Sequence, residues 1–261
     1  MGKESKVRTA LFISGGGSTA EAVIKAHQSG ELRGILPIVV ISSRSDAPGI
    51  QKAESLGVQT RIVQRKDFSS PEAFGEQLLR TLKSYGVELV SQNGWLPLTP
   101  TSVAEEYRER IINQHPGPLD PGRGNDFGGK GMYGSRVTAA RLGYSWIAGE
   151  DFWTEVTTHH VTEKYDDGDL IRIVQMDIPP LGRLVTIAEL QNFPQPLIDK
   201  TKEVQAKLLP LEHRNVIATL QMFAEQGSLP HFRRPEPLIP EGREQILFEA
   251  KRLAIELFPN G

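Results

Sequence analysis

Apolar residues recur along the chain with two periods. Thr9-Ala10-Leu11-Phe12-Ile13 and Ile35-Leu36-Pro37-Ile38-Val39-Val40-Ile41 are short, nearly continuous apolar runs, the pattern of strands buried on both faces of a parallel sheet. Val58 to Val63, Val87 to Ser91 and Ile111-Ile112 predict three more such strands. Between them apolar positions fall three and four apart, as in Phe74, Leu78, Leu79 and Leu82, the spacing of one helix face. A helix is expected over Ala20 to Ala26, and another from Ile50 to Leu56, ended by Gly57 in the C′ role. Ser70-Pro71 supplies an N-cap and then proline at the first helical position, where its missing N–H does no harm. Thr99-Pro100-Thr101 opens a further helix, and Tyr133 to Leu142 reads as one more. Strands alternating with helices imply a parallel sheet with right-handed crossovers.

The pattern changes in the second half. Pro116 to Tyr133 is too rich in Gly and Pro for regular structure, and a loop this long inside a domain is usually functional. Thr154 to Val161 and Leu170 to Ile178 are strand-like and flank an acidic turn, Lys164-Tyr165-Asp166-Asp167-Gly168-Asp169, so they are expected to pair antiparallel. The remainder reads as mostly helical. Pro196 to Glu225 is one stretch, which Pro210 is expected to break or kink. Phe232 to Pro240 is proline-rich and extended. Glu241 to Leu257 is amphipathic, with Ile246, Leu247, Ala250, Leu253 and Leu257 on one face. The fold expected is α/β: a mostly parallel twisted sheet flanked by helices, with an antiparallel edge and a helical C-terminal extension.

Composition narrows the setting. With 261 residues, 38% hydrophobic and 24% charged, the chain can bury a sizeable core. The net charge of −2 gives no basic field, so no nucleic acid and no anionic membrane is expected as partner. There is no cysteine, which excludes disulfides, thiolate nucleophiles and Cys-bound zinc. Met1 to Lys6 is followed by no long apolar region, so no signal peptide is expected. Met1-Gly2 fits part of an acylation pattern, but Lys6 stands where Ser or Thr belongs. No apolar run is long enough to span a bilayer, and a cytoplasmic location is expected.

Candidate chemistry gathers around Ile111-Ile112-Asn113-Gln114-His115-Pro116. In extended chain, residues i and i+2 share a face, so the Asn113 amide and the His115 ring project together at a strand's carboxyl end, where open α/β sheets keep their ligands. An amide donor beside a titratable ring suits one task, holding a carbonyl oxygen as it gains negative charge. Ser14-Gly15-Gly16-Gly17-Ser18-Thr19 lies between a strand and a helix, an arrangement that offers backbone N–H groups to an anion. It is equally read as a tight turn capped by Ser18 or Thr19. His159 and His160 are adjacent and so point to opposite faces of a strand. Three acids within four residues cannot surround calcium by themselves, and no metal is expected.

In combination these motifs are more specific. Asn113-x-His115-Pro116, with Asp166-x-Gly168-Asp169-Leu170-Ile171 about fifty residues later, resembles the folate-dependent formyltransferases. The glycine loop, Ile41-Ser42-Ser43-Arg44-Ser45-Asp46-Ala47 and Leu209-Pro210-Leu211-Glu212-His213-Arg214 are similar to segments of the branch that formylates phosphoribosylglycinamide (GAR). The resemblance runs from about residue 9 to about residue 230. Thr19 replaces an Asn of that branch, Pro71 an Arg, and Asp167 a Gly, while Trp95-Leu96-Pro97-Leu98 replaces a Phe-Met-Arg-Ile-like loop.

The resemblance implies a Rossmann-like catalytic domain over residues 1–185, with a phosphate-binding half at about 1–100 and a folate-binding half at about 101–185. Residues 186–261 would be a helical segment packed on it. It implies 10-formyltetrahydrofolate as co-substrate and the amine of GAR as acceptor. Asn113 would donate to the oxyanion, protonated His115 would donate a second bond, and Asp166 would raise the His115 pKa and relay a proton. Gly15, Gly16, Gly17, Ser18 and Thr19 would hold the ribose phosphate, and Glu212 the glycinamide end. Trp95, Leu96, Leu98, His159, Asp167 and Gly168 would line the folate site. A homodimer is compatible with the family. The competing readings are a formyltransferase acting on a nucleotide-linked amino sugar or on methionyl-tRNA, a formyltetrahydrofolate hydrolase, and a non-catalytic nucleotide-phosphate-binding module.

Overall fold

In the computed structural model, which describes residues 6–261, the apolar runs assemble into one seven-stranded sheet. The expectations about a leader or acylation fall on residues before that range. The strands are β1 (Val7–Ile13), β2 (Ile35–Ser42), β3 (Gln59–Ile62), β4 (Leu89–Gln92), β5 (Ile111–His115), β6 (Trp153–His160) and β7 (Leu170–Asp177). Their order is β3-β2-β1-β4-β5-β6-β7. The first five run parallel, whereas β6 and β7 add as an antiparallel edge. The helices are α1 (Ser18–Ser29), α2 (Gly49–Ser55), α3 (Pro71–Ser84), α4 (Thr101–Glu106), α5 (Ser135–Ala148), α6 (Ile187–Asn192), α7 (Gln195–Gln226) and α8 (Glu244–Leu257).

Strand periodicity builds the layers. On β1, Leu11 and Ile13 face α1 and α7, whereas Ala10 and Phe12 face α3. All four are fully buried, which is why the run is continuous rather than alternating. From β1 the chain moves outward through β2 and β3, then returns to form β4 on the other side of β1. The strand order therefore reverses at β1/β4, and a crevice opens at their carboxyl ends.

The α3 cap follows the sequence, whereas the expected Ser18 or Thr19 cap of α1 does not form. Ser70 Oγ accepts from the Ala73 N–H at 3.2 Å, with Pro71 behind it. Helix α1 starts after Gly17 at φ 65 without a side-chain cap, so its first-turn N–H groups keep their capacity for an anion.

Two expectations are corrected. Pro210 does not break its helix: α7 runs as one 32-residue element. Proline there removes a single N–H bond at about 3 kcal/mol. Its ring sits on the exposed face, while Leu197, Val204 and Leu208 before it and Val216, Leu220 and Phe223 after it are buried. At about 1.5–3 kcal/mol per buried side chain, that face outweighs one proline. Helix α6 was not anticipated, although Thr186 and Glu189 form a capping box whose Thr-x-x-Glu spacing is visible in the sequence.

Candidate active site

Strand β5 delivers two side chains to the crevice. Asn113 and His115 share one face, while Gln114 points to the other and accepts from Thr158 Oγ1 at 2.7 Å. Asp166 arrives from the β6–β7 turn in a left-handed conformation, φ 54, uncommon outside glycine and tolerated by Asp. Asn113 Nδ2 lies 3.0 Å from His159 Nε2 and donates to Asp166 Oδ1 at 3.3 Å. His115 Nδ1 stands 3.7 Å from Asp166 Oδ2. The Gly129 N–H donates to the same carboxylate at 2.9 Å.

Hydrogen bonds to carbonyls fix both rings, because a carbonyl oxygen can only accept. His115 Nε2 donates to Phe127 O at 3.2 Å, and His159 Nδ1 donates to His160 O at 2.7 Å. The remaining nitrogen of each ring faces Asp166, and that of His159 also accepts from Asn113. Burial pushes the His115 ring below its ordinary 6.5, and the Asp166 charge recovers only part of that shift. Burial alone would raise the Asp166 carboxyl; the His115 and His159 rings and the Gly129 N–H outweigh it and hold Asp166 well below the usual carboxylate range. Asp166 is thus the resident charge of the trio. With 3% of the ring exposed, burial disfavours the charged form of His115, and the neighbouring Asp166 carboxylate favours it.

Asn113, His115, His159 and Asp166 line a cavity of about 240 Å³, which also takes in Gln205 and Glu212 of α7. A neighbouring cavity of about 890 Å³ shares Leu96, Pro97, Leu98, Thr99 and Tyr165 with it. Together they provide the room that two small-molecule ligands require. Arg44, Arg65, Lys66 and Pro71 line the second cavity, so the cations close to Pro71 face the ligand space.

The glycine loop sits at the β1 end. Gly15 and Gly16 are exposed with open space beside them, and Gly17 packs on Gly49, where a Cβ would meet backbone at 2.7 Å. Ser18 opens α1. The Thr19 hydroxyl donates to Glu212 Oε1 at 2.6 Å, tying the loop to α7. Burial pushes the Glu212 carboxyl up, opposed by that bond. Ser14 Oγ accepts from the Leu96 N–H at 2.9 Å and pairs with Ser43 Oγ at 2.6 Å, joining the ends of β1, β2 and β4.

The other predicted folate-site residues divide. Leu96 and Leu98 line both cavities and are about 40% exposed. Trp95 reaches the smaller cavity, yet most of its ring is core, 4.7 Å from Phe12 and 6.3 Å from Phe74. Asp167 turns away and accepts from the Gly122 N–H at 2.8 Å. Gly168 packs on backbone, where an added Cβ would fall 1.8 Å from His160 O. Gly168→Ala should therefore lower unfolding free energy by about 3 kcal/mol through overpacking. Urea denaturation checks this, and an unchanged midpoint would refute the tight fit.

His160 points away from His159 and stacks on His231 at 3.8 Å, with 3° between the rings. Glu109, His160 and His231 offer ligand atoms within 4.8 Å of one another. However, parallel rings direct their in-plane lone pairs along separate planes, and the His231 nitrogens face Glu109 and Asp169.

Three contributors escaped the sequence: the Phe127 carbonyl, the Gly129 N–H and Ser14. The first two come from the aperiodic loop after β5 and act through backbone, which leaves no residue-type signal. Ser14 could have been suspected as the last residue before the glycine loop.

Comparison with known proteins agrees with this geometry. Phosphoribosylglycinamide formyltransferase of Arabidopsis thaliana, a chloroplastic protein, is 29% identical over 178 residues, covering 66% of this chain and 57% of that protein. The Vigna unguiculata protein of the same name is 28% identical over 220 residues, covering 84% and 61%. The chain thus spans about three fifths of the length of these relatives. The crystal structure of phosphoribosylglycinamide formyltransferase from Brucella melitensis superimposes with a TM-score of 0.65 at 27% identity, over 87% of this chain and all of that one. The family model described as formyl transferase matches residues 7–193. By this match, together with the sheet order and the site at its reversal, the chain belongs to the formyl transferase family.

Proposed function

We propose that the chain transfers a formyl group from 10-formyltetrahydrofolate to the primary amine of GAR in purine biosynthesis. The convergence of Asn113, His115 and Asp166 on one cavity carries this reading. The names of the relatives support GAR as acceptor.

The acceptor amine attacks the formyl carbon, a C–N bond forms, and the carbonyl oxygen becomes an oxyanion. Asn113 Nδ2 donates to that oxygen, exchanging one of its two present partners. His115 Nδ1, the unprotonated ring nitrogen, takes the amine proton. The imidazolium so formed lies 3.7 Å from Asp166, which stabilises it as it appears. The proton then passes to the departing folate nitrogen as the original C–N bond breaks. Gly15, Gly16, Gly17, Ser18 and Thr19 hold the ribose phosphate at the start of α1. Glu212 holds the glycinamide end, and Trp95, Leu96, Leu98 and His159 frame the folate. GAR and the folate are the partners in this reading, and the location is cytoplasmic. Among the described residues no helix is long and apolar enough to cross a membrane. A homodimer is supported by exposed Leu184, Phe193 and Phe248, and sedimentation velocity would test it.

The deciding assay gives the purified chain 10-formyltetrahydrofolate with GAR, with a nucleotide-linked amino sugar, or with water alone. Saturable formylation of GAR is expected. Turnover confined to the amino sugar, or hydrolysis unaffected by GAR, would replace the reading with the corresponding family member.

A further inference from the structure

The 19-residue connection from Pro116 to Gly134 hydrogen-bonds to the site's ionisable groups through two backbone groups, Phe127 O on His115 and Gly129 N–H on Asp166. Pro116, Pro118 and Pro121 fix φ only in its first third, and beyond them glycines stand at positive φ at residues 122, 124, 129, 131 and 134. An ordering force must come from elsewhere, since fixing each backbone residue costs about 1–2 kcal/mol of conformational entropy.

That force comes from the far end of the chain. Lys251 of α8 donates from Nζ to Asp126 O at 3.0 Å and to Gly128 O at 2.7 Å. These are the two carbonyls flanking Phe127, so one ammonium grips the peptide on both sides of the carbonyl that orients His115. Burial lowers the Lys251 pKa, partly opposed by Asp126 and Asp166, so the group is held in a site with little water. Gly128 sits so close to Asp166 that an added Cβ would lie 2.8 Å from the Asp166 Cβ. Asp126 closes the same turn, accepting from the Asp120 N–H at 2.7 Å and the Gly128 N–H at 2.8 Å. Asp120 in turn accepts from the Leu238 N–H at 2.9 Å, and Arg234 Nε donates to Leu119 O at 2.8 Å. Arg234, Leu238 and Lys251 all lie beyond the residues matched by the family model.

We infer that Lys251 is a positioning residue: it sets the Phe127 carbonyl and the Gly129 N–H, and through them the orientation of His115 and the charge of Asp166. The C-terminal helix is therefore part of the catalytic architecture although it contributes no group to the cavity. The inference rests on the formyl-transfer reading for its kinetic consequence, not for its structural one.

Lys251→Met keeps the aliphatic stem and removes the ammonium. Arg252→Met, on the same helix and, among the described residues, paired with half-buried Glu249 and exposed Glu256, is the control. The expected result for Lys251→Met is a kcat lowered about tenfold with the KM for either substrate within about twofold. Faster hydrogen exchange at the Gly129 amide and a moved His115 titration, followed by NMR in the free protein, are also expected. His115 is faced by Asp166, His159, Asp126 and the Phe127 carbonyl. Removing a cation near this group and admitting water both move its midpoint up toward the ordinary value. Lys251→Arg, which keeps a two-pronged donor, should restore at least half of the lost rate. The inference is overturned if Lys251→Met leaves kcat and Gly129 exchange at their original values, or if it acts only by lowering the melting temperature with both unchanged. Should the native chain fail to formylate GAR, the exchange and titration results still decide the role of Lys251 by themselves.

Discussion

Asp166→Asn lowers kcat/KM for formyl transfer by about 10³-fold, the scale of a lost acid–base partner. The substitution is nearly isosteric, so the effect is one of charge. Asp166 is the group toward which His115 Nδ1 and His159 Nε2 turn, and it accepts from Asn113 and Gly129. The pH profile carries the sign. Burial lowers the His115 pKa and Asp166 raises it, so below that pKa Nδ1 is already protonated and the base is lost. The acid limb of kcat/KM in the native protein therefore lies below 6.5, the ordinary value for the ring. Removing the carboxylate takes away the raising influence, and the limb moves to still lower pH while the plateau falls. Rates measured from about pH 5 to about pH 9 check both. A limb that moves upward, or a plateau within tenfold of native, would remove Asp166 from its role.

Asn113→Ala is expected to lower kcat by about 10²–10³-fold, the usual loss for one donor to a developing oxyanion. Binding of the folate should change far less, because the donor acts where charge appears rather than on the resting carbonyl. The contrast between kcat from steady-state rates and Kd from folate fluorescence quenching is the measurement. A variant that loses folate affinity and keeps its turnover would show that Asn113 serves binding alone. Asn113 is half-buried beside a fully buried Ile112, so a circular dichroism spectrum of the native form is the necessary companion.

The candidate site was legible in the sequence through one strand and one turn. Spacing alone put Asn113 and His115 on a common face, and the acidic turn held the third group. What it could not show was how far β5 extends: Ile111-Ile112 ended the apolar run, yet pairing continues to His115. Polar residues stay in that strand because distant segments partner them, His159 meeting Asn113, Thr158 bonding Gln114 and Phe127 O accepting from His115, which is tertiary information. Nor could spacing reveal that Thr19 spends its hydroxyl on Glu212, 193 residues away. Periodicity reports which face is buried, whereas loops without periodicity, such as Pro116 to Gly134, are ordered by contacts from distant segments.

On the far side of β5, Gln114, Thr158 and Asn215 form a buried relay, with Asn215 Nδ2 donating to Thr158 Oγ1 at 2.9 Å. If β5 slipped by one residue against β6, Gln114 would take the place of Asn113 or His115 in the crevice. Every link of the relay would then be orphaned, at about 1–3 kcal/mol for each unsatisfied group. This small polar knot thus acts as a keyway for the strand: it admits only the alignment in which Asn113 and His115 face the cavity, and it does so from the opposite side of the sheet.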